Sequence, residues 1–490
     1  MKRETIEKPN QLPEKRELGK WFNRILDMAD IVDYSYPLKG CGVWKGYGWS
    51  IRNNAIAIIR ELLAETEHVE MYFPFLVPEN IFNKEAEFIR GFEDEVYWVT
   101  HGGLNELNEK LVIRPTSETP MYCMFAKWIR THADLPLKVW QVVSVFRYET
   151  KTTRPMMRVR EVTTFKEAHT AHLTYEEAAK QVEEGIDVYS KFFDALCLPY
   201  CVSKRPKFDT FPGADYTYSF DIIFPEGKTL QIGTVHNLGE TFSRAFNITC
   251  KDTKGEDHYV SQTCYGISER AIASLIQIHG DDHGMVLPPG VAPVQVVIVP
   301  IFYKDSMEEV EGFARTVYAS LSSHFRVFLD NSNERPARKF YNWELKGVPL
   351  RIEIGAREVR KSAVTLVRRD TFDRVEASVD NLKEEIENQL ENLEETLRKK
   401  AWRHQNANTH SVASFFSMEQ EDAVDVLLDD HGEYNGGIVK VPVCGDNVCL
   451  EMLSKYVDVL GVPYEKEKEV KGTCICGSPA KQVITVAKMY

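Results

Sequence analysis

Two spacings of apolar residues alternate along the first 290 residues. "NNAIAIIRELLAETEH" (53–68) and "YEEAAKQVEEGIDVYSKFFDAL" (175–196) repeat them three and four apart, as an amphipathic helix does. "LKVWQVVSVFRYE" (137–149), "YTYSFDIIF" (216–224) and "TLQIGTVHNLG" (229–239) are rich in β-branched and aromatic residues and predict strands. The mixture predicts an α+β unit, an antiparallel sheet flanked by helices. A proline-rich joint, "VLPPGVAPVQ" (286–295), ends it. Beyond it "VQVVIVPI", a helix near 307–323, "RVFLD", a helix near 336–346, "VPLRIEIG" and "AVTLVRRD" follow the pattern of a small α/β domain. Leu382, Ile386, Leu390, Leu393 and Leu397 then mark one buried face of an acid-rich helix. From about 401 a polar stretch leads into a cysteine-rich end. The expected domains are therefore 1–290, 291–400 and 401–490, in keeping with a length of 490 residues at ~150 per domain.

Charge narrows the function. With 60 basic and 73 acidic residues the net charge is -13, which argues against indiscriminate nucleic-acid binding but allows a partner held by local basic patches. The first 18 residues carry no apolar core of a signal peptide, and no run approaches the ~18 apolar residues of a membrane span. The expectation is a cytoplasmic protein that does not enter a membrane.

Six of the ten cysteines (Cys41, Cys123, Cys197, Cys201, Cys250, Cys264) are scattered and predicted to be buried, reduced thiols. The other four are Cys444, Cys449, Cys474 and Cys476, in "CGDNVC" and "CICGSP". Four thiolates beside glycine turns suit tetrahedral zinc, while spacings other than the usual two-residue gap leave free thiols or a disulfide open. "HGDDHG" (279–284) resembles a metal cluster in composition only and is read as a polar domain joint. "EGKT" (226–229) lacks the first glycine of a phosphate loop and is read as a hairpin turn.

The densest chemistry lies in "SVFRYETKTTRPMMRVREVTTF" (144–165), where Arg147, Lys151, Arg154, Arg158 and Arg160 surround Glu149 on a loop between two strand-like runs. Arginine forks suit phosphate oxygens and stacking on a base. In isolation such a run reads first as a solvated hairpin face.

Its company decides. "FRYE" (146–149) with "RVRE" (158–161) resembles motif 2 of class II aminoacyl-tRNA synthetases, "YFP" (72–74) their motif 1, with Pro74 at a dimer interface, and "YGISER" (265–270) their motif 3. "RPTSETP" (114–120), "FKEAHT", "FPGADY", "TVHNLG" and "KFYNWELKGVPLRIEIG" are similar to the archaeal and eukaryotic-type prolyl-tRNA synthetase family, from about residue 15 to the end.

The resemblance implies a class II α+β catalytic domain, an α/β anticodon-binding domain and a small zinc-binding C-terminal α/β domain. It implies a homodimer that activates L-proline with ATP to prolyl-adenylate and pyrophosphate, then transfers proline to its tRNA. Thr116 and Glu118 would take the proline ammonium, and Phe165, His169, Phe211 and His236 would wall the ring. From spacing alone these residues read first as a buried capping pair and core aromatics. Arg147 would bridge the proline carboxylate and the α-phosphate. Glu149, Arg158, Gln231, Thr234, Ser268 and Arg270 would hold the rest of ATP, whose phosphates Mg²⁺ would bridge, and Arg147 and Arg270 would be the catalytic pair. Glu344, Arg351, Arg357 and Glu358 would read guanines of the anticodon, and the four C-terminal cysteines would hold a structural Zn²⁺. Only about residues 170 to 264 separate motifs 2 and 3, which leaves no room for an inserted editing domain. Two alternatives stand beside this expectation: a synthetase of the same fold that charges cysteine, and a non-catalytic paralogue that binds tRNA.

Overall fold

The computed structural model describes residues 12–86, 92–150, 152–302, 306–414, 436–465 and 470–490. Lys151 of the arginine loop therefore lies outside the described residues.

Strand-forming runs pair into one large sheet. Among the described residues it has eleven strands, in the order Thr409–Ser411, Ile438–Val443, Gln482–Ala487, Asp458–Pro463, Cys201–Lys204, Tyr216–Ile223, Thr229–Gly239, Ser261–Ser268, Glu161–His172, Leu137–Phe146 and Val69–Glu70. From Asp458–Pro463 to Leu137–Phe146 every pairing is antiparallel. The stretch between motifs 2 and 3 supplies three whole strands of this sheet, Cys201–Lys204, Tyr216–Ile223 and Thr229–Gly239, and the long helix behind it, Tyr175–Ala195.

That helix starts where the sequence provides a capping box. Thr174 Oγ1 accepts from the Glu177 amide at 3.2 Å, and Glu177 Oε2 accepts from the Thr174 amide at 3.3 Å. Its apolar side, Val182, Ile186, Tyr189, Phe192 and Phe193, is buried against the sheet. Gly185 lets the helix close in, since a Cβ there would stand 3.2 Å from Val235 Cγ1.

The second unit is a five-stranded sheet ordered Val327–Leu329, Val296–Pro300, Leu350–Ile354, Ala363–Arg368 and Arg374–Ser378. Its first three strands are parallel and its last two antiparallel, so the βαβ pattern describes only its first half. The acid-rich helix Leu382–Ala407 buries all five predicted residues of its apolar face. Each fully buried leucine there contributes roughly 1.5–3 kcal/mol relative to exposure.

Two boundaries differ from the sequence expectation. The helix runs through position 400, because its buried face continues to Ala401 and to Gln405, whose Oε1 accepts from the Ile223 amide at 3.0 Å. The C-terminal strands also extend the catalytic sheet rather than forming one of their own: Val462 and Pro463 pair with Lys204 and Ser203. Gly461 makes that approach possible at φ +118°, since a Cβ there would lie 2.0 Å from the Lys204 carbonyl oxygen.

"HGDDHG" is a joint. Asp281 accepts from Arg369 Nη1 and Nη2 at 2.8 and 2.6 Å, its carbonyl accepts from Trp21 Nε1 at 3.0 Å, and Asp282 accepts from the Lys15 amide at 2.6 Å. The N-terminal helix, the catalytic unit and the α/β unit are thereby tied together. "EGKT" forms the predicted turn, with Gly227 at φ +83°. Among the described residues no helix is long and apolar enough to cross a membrane.

Candidate active site

The open face of the large sheet carries a cavity of about 380 Å³. Thirteen residues singled out by sequence line it: Thr116, Glu118, Arg147, Glu149, Arg158, Phe165, His169, Phe211, Gln231, Thr234, His236, Ser268 and Arg270. They come from the turn entering the helix Glu118–Trp128, from the three strands Glu161–His172, Thr229–Gly239 and Ser261–Ser268, from the arginine loop, from the loop that carries Phe211 and from the start of the helix Arg270–His279.

One end of the cavity is a small pocket lined by the buried Thr116, Glu118, Glu167, His169 and His236. Glu118 lies in the first turn of its helix, where unpaired amides favour an anion. Thr116 Oγ1 contacts Glu118 Oε2 and also stands 2.7 Å from Glu167 Oε1. The His169 and Tyr122 rings meet edge to face, with Nδ1 3.0 Å from the phenol oxygen. His169 Nε2 is buried without a hydrogen-bond partner. His236 Nδ1 lies 2.8 Å from Thr217 Oγ1, and its ring centre is 4.8 Å from that of Phe211. Burial, with some repulsion from Lys166, pulls His169 down to about 4; burial, with His169 nearby, pulls His236 down to about 3. Both imidazoles are neutral at physiological pH, so the pocket offers apolar ring faces and carboxylate charge. That is what a small apolar ring bearing an ammonium needs.

The other end is cationic. Arg147 is held by its own Nε, which donates to the Pro115 carbonyl at 3.2 Å, and its guanidinium lies 5.4 Å from the Phe165 ring centre. Arg270 is fixed by Nε to the Met157 carbonyl at 2.9 Å and Nη1 to the Gln231 carbonyl at 3.3 Å. Burial, reinforced by the like charges of Arg147 and Arg158, lowers Arg270 to about 10, where it is still charged. The loop between the strands folds back on itself, with Arg154 and Arg158 exchanging backbone hydrogen bonds at 2.8 and 2.9 Å. Arg147 and Arg270, held by main-chain carbonyls and not by carboxylates, keep their charge available to an anionic ligand such as a nucleoside triphosphate.

Sequence reasoning missed several lining residues. Glu167 stands between Phe165 and His169 on the same strand, and period-two alternation alone puts all three on one face. Glu269 is buried and accepts from the Thr163 amide at 3.0 Å and the Thr163 hydroxyl at 2.8 Å; burial pushes it up to about 7. Arg205 is buried and pairs with Asp221 at 2.8 and 3.1 Å. Met489 reaches the cavity rim because the last strand lies in the same sheet, and Tyr490 rests against Arg154, whose guanidinium is 5.0 Å from the ring centre.

The four anticodon candidates do not share one recess. Glu344 accepts from Arg351 Nη1 at 2.7 Å, and Arg351 also donates Nε to Glu353 at 3.1 Å while lying 4.1 Å from the Phe340 ring centre. Both line a small recess with Arg368 and Arg369. Arg357 pairs instead with Glu376 at 3.2 Å on the surface, and Glu358 caps its own helix by accepting from the Gly355 amide at 3.0 Å. Neither lines the recess.

The C-terminal cysteines converge. The sulfurs of Cys444, Cys449, Cys474 and Cys476 all lie within 4.8 Å of one another, with Cys444 3.7 Å from Cys449 and 3.9 Å from Cys476. A tetrahedron with bonds of ~2.3 Å has edges of ~3.8 Å, so this set fits zinc. These separations are far beyond the ~2.05 Å of a disulfide. Hydrogen bonds from Ser478 lower the Cys476 thiol to about 6, which favours the thiolate a metal requires. The remaining six cysteines form no disulfide; Cys123 and Cys201 are partly exposed and the other four buried.

Comparison with known proteins places this arrangement. Residues 97–279 match the model of the tRNA synthetase class II core domain (G, H, P, S and T), and residues 295–389 match that of the anticodon binding domain. Core and appended domain together define a class II aminoacyl-tRNA synthetase. Within that class, the proline–tRNA ligase of Methanocaldococcus jannaschii is 53% identical over 97% of this chain and 100% of its own. That of Methanopyrus kandleri is 48% identical over 97% and 96%. The solved structure of Giardia lamblia prolyl-tRNA synthetase with prolyl-adenylate superposes with a TM-score of 0.90 at 33% identity, covering 97% of this chain and 99% of that one. The chain belongs to the prolyl-tRNA synthetase family.

Proposed function

We infer that this protein activates L-proline with ATP, releasing pyrophosphate, and transfers the prolyl group to the 3′ end of proline tRNA. The observation that carries the reading is the single cavity in which a Thr116–Glu118 pocket walled by neutral histidines adjoins Arg147 and Arg270. Glu118 and Thr116 take the proline ammonium, and Phe165, His169, Phe211 and His236 enclose the ring. This leaves the carboxylate facing Arg147. In-line attack of that carboxylate on the α-phosphate needs no covalent enzyme intermediate. Catalysis is then positioning and neutralisation of charge by Arg147 and Arg270. Glu149, Arg158, Gln231, Thr234 and Ser268 hold adenosine and phosphates, and Mg²⁺ enters as the chelate of ATP. Proline-dependent exchange of pyrophosphate into ATP tests the reading.

The same reading assigns residues 291–400 to the anticodon, with Glu344 and Arg351 as the reading pair and Arg357 and Glu358 in supporting places. Glu344→Ala is expected to weaken tRNA charging while leaving tRNA-independent proline activation unchanged, because the recess lies beyond the joint at 286–295. Parallel aminoacylation and exchange assays check this, and an equal fall in both would make Glu344 a structural residue.

Cys444, Cys449, Cys474 and Cys476 hold a structural zinc, since four protein ligands leave no open position for a reacting water. Elemental analysis of protein purified without chelator is expected to find about one zinc per chain. Cys474→Ser is expected to lose the metal and to lower the melting temperature, and an absence of zinc in the parent removes the claim.

The reading includes a homodimer formed through the motif 1 segment. In its favour, Tyr72 and Leu76 beside Pro74 are exposed, at 73% and 42%, next to the sheet's edge strand Val69–Glu70. A cytoplasmic site of tRNA charging goes with it.

A further inference from the structure

Glu167 is not among the residues assigned to the ligand above, yet it lies in the wall of the proline pocket and touches the group that holds Glu118. The hydrogen bonds around it can be counted. The Phe73 amide donates to Gln141 Oε1 at 3.0 Å, which fixes the other end of that side chain as the donor. Gln141 Nε2 therefore donates to Ser117 Oγ at 2.8 Å, and the Ser117 hydroxyl proton is left to go to Glu167 Oε2, which it contacts. Glu167 Oε1 is 2.7 Å from Thr116 Oγ1, and that same oxygen contacts Glu118 Oε2. A threonine hydroxyl has one proton and can donate to only one of two carboxylates. The second contact has to be made by a proton that a carboxyl group carries.

We propose that Glu167 is a positioning residue held as a neutral carboxylic acid, whose O–H donates to Thr116 and so commits the Thr116 hydroxyl to Glu118, leaving the pocket one negative charge for one ammonium. The proposal deepens the proline-activation reading and rests on it for the identity of the substrate.

The proton belongs to Glu167 and not to Glu118 for a structural reason. Glu118 has the first turn of an eleven-residue helix behind it and a further donor in Cys264 Sγ at 3.6 Å. Glu167 sits mid-strand, with no helix end behind it. Burial, and secondly the Glu118 charge, push its carboxyl well above the ordinary range. The charged and titratable groups around it come from every neighbouring element: Glu118 from the helix start, Arg147 from the end of the adjoining strand, Lys166 and His169 from its own strand, and Cys264 from the next. Of these only Arg147 and Lys166 favour the ionised form. Burial pushes the Lys166 amine well below its ordinary range, and Nζ lies between the Tyr189 and Tyr265 rings, 4.8 and 4.4 Å from their centres.

Two charged carboxylates would give an ammonium one anion too many and would set Thr116 between two acceptors. A neutral acid makes the hydroxyl a one-way relay, accepting from Glu167 and donating to Glu118. An amide in place of Glu167 can do the same, with its NH₂ toward Thr116 and its carbonyl toward Ser117.

The test compares Glu167→Gln and Glu167→Ala with the parent in proline-dependent pyrophosphate exchange across about pH 6.5 to 9.5. Glu167→Ala is expected to raise KM for proline by about 30-fold or more with little change in KM for ATP, and Glu167→Gln to restore it to within about threefold of the parent. The parent's kcat/KM for proline, which reports the free enzyme, is expected to fall on the alkaline side as Glu167 ionises, and Glu167→Gln to lack that fall. Infrared difference spectra of the free proteins should show a protonated carboxyl band in the parent that Glu167→Gln lacks. That band reads the protonation state even if proline is not the substrate, whereas loss of proline-dependent exchange in the parent would strike the functional reading alone. The proposal is overturned if Glu167→Gln loses proline as severely as Glu167→Ala, if both parent and Glu167→Gln show the same alkaline fall, or if the band is absent.

Discussion

Replacing Arg147 with alanine is expected to slow prolyl-adenylate formation by at least ~100-fold, a loss of about 3 kcal/mol of transition-state stabilisation. The size follows from where the charge lies. The proline carboxylate and the α-phosphate approach each other at this point, and their repulsion grows as the new bond forms. Arg147 is anchored by a single bond from Nε to the Pro115 carbonyl, so the rest of its guanidinium faces the cavity. Its removal takes away ligand contacts and little packing, and the fold is expected to survive. Single-turnover adenylate formation checks this, with thermal melting as the control. Equal rates in mutant and parent would remove Arg147 from the chemistry.

The second large effect is expected at Glu118. Glu118→Gln keeps the shape of the side chain but removes the pocket's anion, at the first turn of the helix Glu118–Trp128. Hydrogen bonds to charged groups contribute about 1.5–3 kcal/mol each, so kcat/KM for proline should fall by roughly 10- to 150-fold. KM for ATP should change little, because the nucleotide contacts lie at the arginine end. Steady-state kinetics with each substrate varied in turn separates the two. A rise in KM for ATP equal to that for proline would mean that Glu118 shapes the whole cavity and does not bind the ammonium.

Much of the catalytic unit was legible because its chemistry sits on local patterns. The strand Thr229–Gly239 matches "TLQIGTVHNLG", since Thr229, Ile232, Thr234 and Val235 are β-branched and a glycine turn precedes the run. Thr116 and Glu118, or Arg147 and Glu149, are two residues apart, and short spacing makes motifs visible. The missed residues depend on distant pairing. Arg205 lines the cavity through its ion pair with Asp221 on the neighbouring strand, which no local period announces. Met489 is there because the C-terminal strands join the sheet at Ser203 and Lys204, and the sequence marks that junction only by Gly461. Glu167 was within reach, since Phe165 and His169 already pointed to its face of the strand. The scatter of Arg357 and Glu358 away from Glu344 follows from packing in the α/β unit: one pairs with Glu376 and the other caps its helix.

The central claim is that one cavity on this sheet selects proline and presents its carboxylate to ATP. Exchange of labelled pyrophosphate into ATP, run with proline and with each competing amino acid, tests it most directly. The expected result is robust exchange with proline and a weaker one with alanine and cysteine, because a pocket that only adds apolar contact discriminates by about 1–3 kcal/mol per methylene. The stretch between motifs 2 and 3 is taken up by strands and helices of the catalytic unit. Exchange that ignores proline, or that runs faster with cysteine than with proline, would contradict the account.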